Sequence, residues 1–121
     1  IETQDNQRIV FATDCCEFLY KIKNVNHWLI ECNWSEEILI DNMCDNVEMR
    51  SRHEHHLELN DTIFALKENF SSSMNTVVLL HLSNGNSNEE MFKSRIREEL
   101  GFFNIHIAKK ELKIELNPCE F

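Results

Sequence analysis

Glycine and proline are nearly absent from this sequence, with 2 glycines and 1 proline among 121 residues. Such low contents argue against a disordered chain and against an all-β fold, whose tight turns use both residues. Hydrophobic residues nevertheless make up 42% of the chain, which is enough to bury a core. The sequence therefore predicts helices and strands joined by polar loops, as one small folded unit or part of a larger one.

Positive charge is also scarce, since 12 Lys and Arg residues stand against 21 Asp and Glu residues, for a formal net charge of −9. A protein that binds along a nucleic acid needs cationic surface to neutralise the phosphates. No basic patch is visible in the sequence, which argues against a long nucleic-acid footprint on it. Bound divalent cations would change this balance locally.

Long apolar runs are missing as well, and none approaches the roughly 20 residues that a membrane-spanning helix needs. The opening IETQDNQRIVF lacks the basic start and apolar stretch of a signal peptide. The odd number of cysteines and their spacing fit neither a paired zinc module nor a secreted disulfide scaffold. The five are Cys15, Cys16, Cys32, Cys44 and Cys119. We therefore expect a cytoplasmic protein with reduced thiols and no membrane contact.

The predicted elements follow the order strand, strand, helix, helix, strand, helix, strand, strand. Strands are predicted over 8–13, 28–31, 76–80, 104–108 and 111–116. The first helix begins after Ser35, the second is capped by Asn60 or Asp61, and the third covers 89–100. The second helix is predicted to bury Ile63, Phe64, Leu66 and Phe70. Strands that alternate with helices predict an α/β layer architecture.

Two predicted strands end on a side chain that can bind a metal ion. Asp14 follows the strand over 8–13, and a carboxylate there can bridge two divalent metals. His81 follows the strand TVVLL, and a neutral imidazole is a good ligand for Zn²⁺ or Mn²⁺. Ligands at the carboxyl ends of strands are a common way to build a site. The ordinary alternatives are a turn-forming aspartate and a histidine bonded to backbone.

A polar loop predicted over 47–58 contains three histidines, His53, His55 and His56. Such a cluster can bind metal, although a solvated loop is its usual fate. The spacing of the first two resembles half of an H-x-H-x-D-H metal motif. Leu57 stands where that motif needs aspartate, so we reject the motif here.

Glu31 ends the second predicted strand and can orient a histidine as an acid/base pair. The alternative is a surface carboxylate. Cys15 and Cys16, beside Asp14, are interpreted as packing residues, because vicinal cysteines rarely form a stable disulfide.

Taken in order, five segments resemble the metallo-β-lactamase superfamily of phosphodiesterases and nucleases, and most closely its bacterial and phage-encoded branch. They are FATD at 11–14, HWLIECNWSEEIL at 27–39, RSRHEHHLELNDTIFAL at 50–66, VVLLHLSNGNSNEEMFKSRI at 77–96 and IHIAKKELKIEL at 105–116. The resemblance covers nearly the whole chain in the family's order, and LLHLSNGNSNEE is its most specific part.

The resemblance implies that Asp14 is the metal-bridging carboxylate and His81 a ligand of the second metal. The family's first half, with its H-x-H-x-D-H motif, is absent here. The implied fold is therefore the C-terminal half of an αβ/βα sandwich, with a mixed sheet flanked by helices on one face. Residues 1–121 would form this half without an internal boundary.

The same resemblance implies the catalytic residues. His56 aligns with the family histidine that faces the scissile phosphate, and Glu31 with the carboxylate that orients it. His55 is an alternative for the role of His56. Ser83 and Asn84 would contact the substrate.

The implied function is a metal-dependent hydrolase of phosphodiester bonds, either a nuclease or a cyclic-nucleotide phosphodiesterase. The complete enzyme would hold two Zn²⁺ or Mn²⁺ ions, with this chain supplying part of the site. A missing N-terminal half or complementary chain is the expected partner, and an exposed sheet face would favour a homo-oligomer. The alternative is a non-catalytic remnant or interaction module of the same fold, whose acidic surface would suit a basic partner.

Overall fold

The computed structural model describes residues 1–43, 54–101, 104–110 and 112–116. Four strands are present there: β1 (Ile9–Ala12), β2 (His27–Glu31), β3 (Thr76–Leu80) and β4 (Ile105–Ile107). Three helices accompany them: α1 (Glu36–Met43), α2 (Leu59–Glu68) and α3 (Glu89–Leu100). Most of the loop predicted over 47–58, including His53, lies outside the described residues, as do Cys44 and Cys119. None of the helices in the described ranges is long and apolar enough to cross a membrane.

The four strands form one sheet in the order β1-β2-β3-β4, and each neighbouring pair is parallel. The predicted α/β architecture is confirmed. The sheet was expected to be mixed, whereas among the described residues it is wholly parallel, because the closing strand expected over 111–116 is not formed by residues 112–116. Leu112, Ile114 and Leu116 instead line a small cavity against the sheet, so this segment places apolar side chains there without joining the ladder.

The main core lies between one face of the sheet and the helices. Alternate residues of the central strands, Trp28 and Ile30 on β2 and Val77 and Leu79 on β3, are completely buried. Helices α2 and α3 cover them with Leu59, Ile63, Leu66, Phe92 and Ile96. Helical periodicity puts Leu59, Ile63 and Leu66 on one stripe.

Two residues predicted for this core are on the surface instead. Phe64 is 54% exposed and Phe70 is 49% exposed. Phe64 lies about 100° around α2 from Ile63, so it falls outside the buried stripe. Phe70 follows the end of the helix.

The start of α2 also differs from the prediction, because the N-cap is Glu58 and not Asn60 or Asp61. The carboxylate of Glu58 accepts the backbone N–H of Asn60. Tertiary pairing determines this position, since the N–H of Leu59 donates to the carbonyl of Trp34 at 2.8 Å. Burial raises the pKa of the Glu58 carboxyl group.

A buried histidine joins the amino-terminal ends of β2 and β3. His27 is completely buried. Its Nε2 donates to Oε1 of Gln7 at 2.8 Å, and its Nδ1 lies 3.0 Å from the hydroxyl of Thr76. These partners satisfy a neutral imidazole, and burial lowers the pKa of His27 below its usual value.

We expect this histidine to make the protein less stable in mild acid. Because the pKa is lower in the folded state, the unfolded chain binds the proton more readily, and stability falls as the pH drops below the ordinary pKa of about 6.5. Urea unfolding between pH 8 and pH 5 measures this loss. His27→Gln should flatten that part of the profile relative to His106→Gln, which removes a partly exposed histidine. Identical profiles for the two variants would contradict the assignment.

Candidate metal centre

Four metal-binding side chains meet at one edge of the sheet. In a parallel sheet the carboxyl ends of the strands share an edge, and here Asp14 follows β1, Glu31 ends β2 and His81 follows β3. His56 reaches the same place from the segment before α2. One ligand atom from each of the four lies within 4.8 Å of the others. This group can hold a metal ion.

Glu31 is the shared acceptor of the group. Its Oε1 lies 2.9 Å from Nδ1 of His56 and 2.7 Å from Nδ1 of His81. Its Oε2 accepts the backbone N–H groups of Leu57 at 3.2 Å and Cys15 at 3.4 Å. The Glu31 side chain is completely buried. Both of its oxygens are therefore engaged, and the two imidazoles are held together.

Two of the four residues have a left-handed backbone. The φ angle is 54° at Asp14 and 57° at His81. Aspartate and histidine are among the residues that tolerate this region, which costs more than an extended conformation. The carbonyl of His81 accepts the Nδ2 amide of Asn33 at 2.6 Å, which stabilises the turn. These turns end strands β1 and β3 at the site and bring both side chains toward Glu31.

The backbone of His56 is held by residues that directly follow β2. The indole Nε1 of Trp34 donates to the carbonyl of His56 at 3.1 Å. The N–H of Asn33 donates to the carbonyl of Leu57, a fully buried residue, at 2.9 Å. The carbonyls of His56 and of the next residue are thus both hydrogen-bonded. They fix the backbone of His56, although it lies outside any helix or strand.

The exposed fraction of the side chain increases in the order Glu31, His56, His81, Asp14. The side chain of His56 is 26% exposed, that of His81 51% and that of Asp14 75%. The rings of His56 and His81 meet edge to face, with centroids 4.9 Å apart. Because each Nδ1 faces the acceptor-only carboxylate of Glu31, Nε2 is the ring nitrogen that stays available on both histidines. The group is open to ions and small molecules on one side.

The donor set fits a divalent cation. The contacts of 2.7, 2.9 and 3.9 Å among the four residues all involve Nδ1 of a histidine, and they bring two imidazoles and two carboxylates to one place. Two imidazoles and two carboxylates suit Zn²⁺ or Mn²⁺ by their chemistry.

The structure brings together the two predicted metal ligands, Asp14 and His81, and the predicted pair Glu31 and His56. The contact of Glu31 with His81 was not expected. His55 is exposed and is not a member of the group, so His56 is the histidine at the site. The catalytic roles of His56 and Glu31 stay predictions.

The residues predicted to contact substrate lie beside the group. Ser83 and Asn84 line a cavity of about 410 Å³ together with His81. Ser83 is fixed beside the end of β2, because its N–H donates to the carbonyl of Asn33 at 2.7 Å.

Cys15, interpreted from the sequence as a packing residue, also contributes to the site. Its backbone N–H donates to Glu31, a contact that the spacing of residues along the chain does not indicate. Burial raises the pKa of the Cys15 thiol, and the nearby Glu31 carboxylate adds to this.

Comparison with protein-family models, with curated proteins and with solved structures finds no match to this chain. The resemblance to metallo-β-lactamase hydrolases is accordingly still a prediction, and the geometry of the site is the basis for proposing a function.

Proposed function

We propose that this chain binds a divalent metal ion at Asp14 and His81 and takes part in the hydrolysis of phosphodiester bonds. The observation that carries the proposal is the meeting of Asp14, Glu31, His56 and His81 at the carboxyl ends of three parallel strands. Ligand sites of open α/β sheets lie at this edge, and a metal ion held there can activate water for hydrolysis.

Asp14 and Nε2 of His81 are the proposed ligands, because they are the more exposed members of the group. Glu31 is proposed to orient His81, since a ligating histidine commonly donates its other ring N–H to a carboxylate. A bound Zn²⁺ or Mn²⁺ would polarise the phosphate and lower the pKa of water. The complete enzyme is proposed to hold a second ion, for which further ligands are needed.

His56 is proposed to move a proton. With Nδ1–H donated to Glu31, Nε2 of His56 can hold a proton for the leaving oxygen of the substrate.

A small substrate, such as a cyclic nucleotide, is favoured over long nucleic acid. The cavity of about 410 Å³ beside His81 has the size of a small-molecule site. Its polar residues include Ser83 and Asn84, which can hydrogen-bond a phosphate. The net charge of −9 opposes binding along a polyanion.

Calorimetric titration of the purified chain with Zn²⁺ and with Mn²⁺ tests the metal site. We expect saturable binding that Asp14→Ala or His81→Ala weakens by at least about 100-fold, since loss of outer partners alone costs 10–100-fold. His56→Ala should weaken binding less, because His56 is proposed to act on the substrate. His55→Ala is the matched control and should bind like the unmodified chain.

Hydrolysis of bis(p-nitrophenyl) phosphate and of a cyclic nucleotide by the metal-loaded protein tests the reaction. Loss of turnover in His56→Ala with metal still bound would support the proposal. Metal binding without turnover of either substrate would overturn the proposed hydrolase activity and would support the proposed metal site. No metal binding at neutral pH would overturn both, and the interaction-module alternative would then lead.

A further inference from the structure

A second surface feature lies on the outer side of α2, away from the four-residue group. Leu19 and Phe64 form its apolar part, and Glu17 and Asp61 its acidic part. Together with Phe18 these residues line a shallow cavity of about 290 Å³, which we call the α2 patch. Leu19 is 71% exposed and Phe64 54% exposed. Two large apolar side chains are thus displayed to solvent beside carboxylates.

Contacts with the core and with the end of α2 fix the backbone of the α2 patch. The ring of Phe18 packs edge to face on the fully buried Trp28, with centroids 5.6 Å apart. The side chain of Asn69 accepts the N–H of Ile22 at 2.7 Å and donates to the carbonyl of Tyr20 at 3.0 Å. These contacts fix the segment after β1 against α2, so little ordering of the surface would be needed on binding.

The two carboxylates of the patch have no cationic partner among the described residues. Two other carboxylates near the helices are paired, Glu68 with Lys21 at 3.3 Å and Glu99 with Lys67 at 3.0 Å. The pKa of Asp61 is raised by burial and then by the charges of Glu17 and Glu36. A cation placed between Glu17 and Asp61 would relieve this repulsion.

We infer that the α2 patch binds a segment of another protein that carries a lysine or arginine beside an apolar side chain. The cation would lie between Glu17 and Asp61, and the apolar side chain would cover Leu19 and Phe64. The net charge of −9 would steer such a segment toward the chain. A second copy of this chain fits less well, because it would bring the same acidic charge.

A fluorescent peptide of about ten residues with paired leucines and lysines is the probe, and its glutamate-for-lysine counterpart is the control ligand. Fluorescence anisotropy gives the dissociation constant. The double variant Glu17→Gln, Asp61→Asn should weaken binding about tenfold, and the equally charged variant Glu98→Gln, Glu115→Gln by less than about twofold. Phe64→Ala should weaken binding several-fold more than Phe70→Ala, which removes an exposed phenylalanine outside the patch.

Equal losses in the two double variants would show attraction by net charge alone and would overturn the inference. Failure of the basic peptide to bind, or equal binding of the acidic peptide, would overturn it as well. Sedimentation velocity tests whether a second copy of the chain occupies the α2 patch. A dimer that Phe64→Ala dissociates would assign the patch to a second copy and overturn the inference. None of these outcomes depends on the metal site, because no patch residue belongs to it.

Discussion

Replacement of Glu31 by alanine is expected to lower the free energy of unfolding of the metal-free protein by about 3 kcal/mol. The substitution removes the acceptor of four donors, and one of them, the N–H of Leu57, belongs to a fully buried residue. An unsatisfied buried donor costs about 1–3 kcal/mol, and the lost side-chain volume adds to this. Urea unfolding at neutral pH measures the effect.

Two further variants separate the causes. Glu31→Gln keeps the side-chain volume but places an amide NH₂, which cannot accept a hydrogen bond, where donors point. Most of the loss of unfolding free energy should therefore persist. Glu98→Ala, on the exposed side of α3, should change stability by less than about 0.5 kcal/mol. Both Glu31 variants should also weaken Zn²⁺ binding by about 10–100-fold if Glu31 orients His81. A loss of stability no greater than that of the Glu98 control would show that Glu31 does not hold the site together.

Trp28→Ala is expected to lower the free energy of unfolding by about 3–5 kcal/mol. Trp28 is completely buried on the central strand β2, where it packs against Phe18 and belongs to the main core cluster. Truncation to alanine leaves a cavity that the parallel sheet can fill only partly. Denaturant unfolding followed by far-UV circular dichroism measures the loss.

Trp28→Phe provides an internal comparison, because Nε1 of Trp28 is buried and has no hydrogen-bond partner among the described residues. Removing that group offsets part of the lost packing, so we expect a cost of about 1–2 kcal/mol. Phe64→Ala, an aromatic truncation on the surface, should stay within about 0.5 kcal/mol. A similar cost for Trp28→Ala and Phe64→Ala would contradict the assignment of the core.

Much of the fold followed from local patterns. The apolar run TVVLL predicted β3 at its observed bounds, and the four-residue spacing of Phe92, Ile96 and Leu100 predicted α3. Short-range patterns succeed at these places because burial alternates or repeats with the period of the element itself. They failed at α2, where the pairing of Leu59 with Trp34 sets the helix start and Phe64 lies off the buried stripe.

The sequence by itself determined the α/β class, the acidic surface and the two strand ends at Asp14 and His81. Only the tertiary structure decided that Glu31 contacts both His56 and His81, and that His56, not His55, joins them. The reason is distance along the chain: Glu31 is 25 residues from His56 and 50 from His81. No local pattern specifies such contacts. The contact with His81 arises because parallel strands align their carboxyl ends at one edge, which only the assembled sheet contains. His56 reaches the same edge because Trp34 and Asn33 bind the backbone of His56 and Leu57.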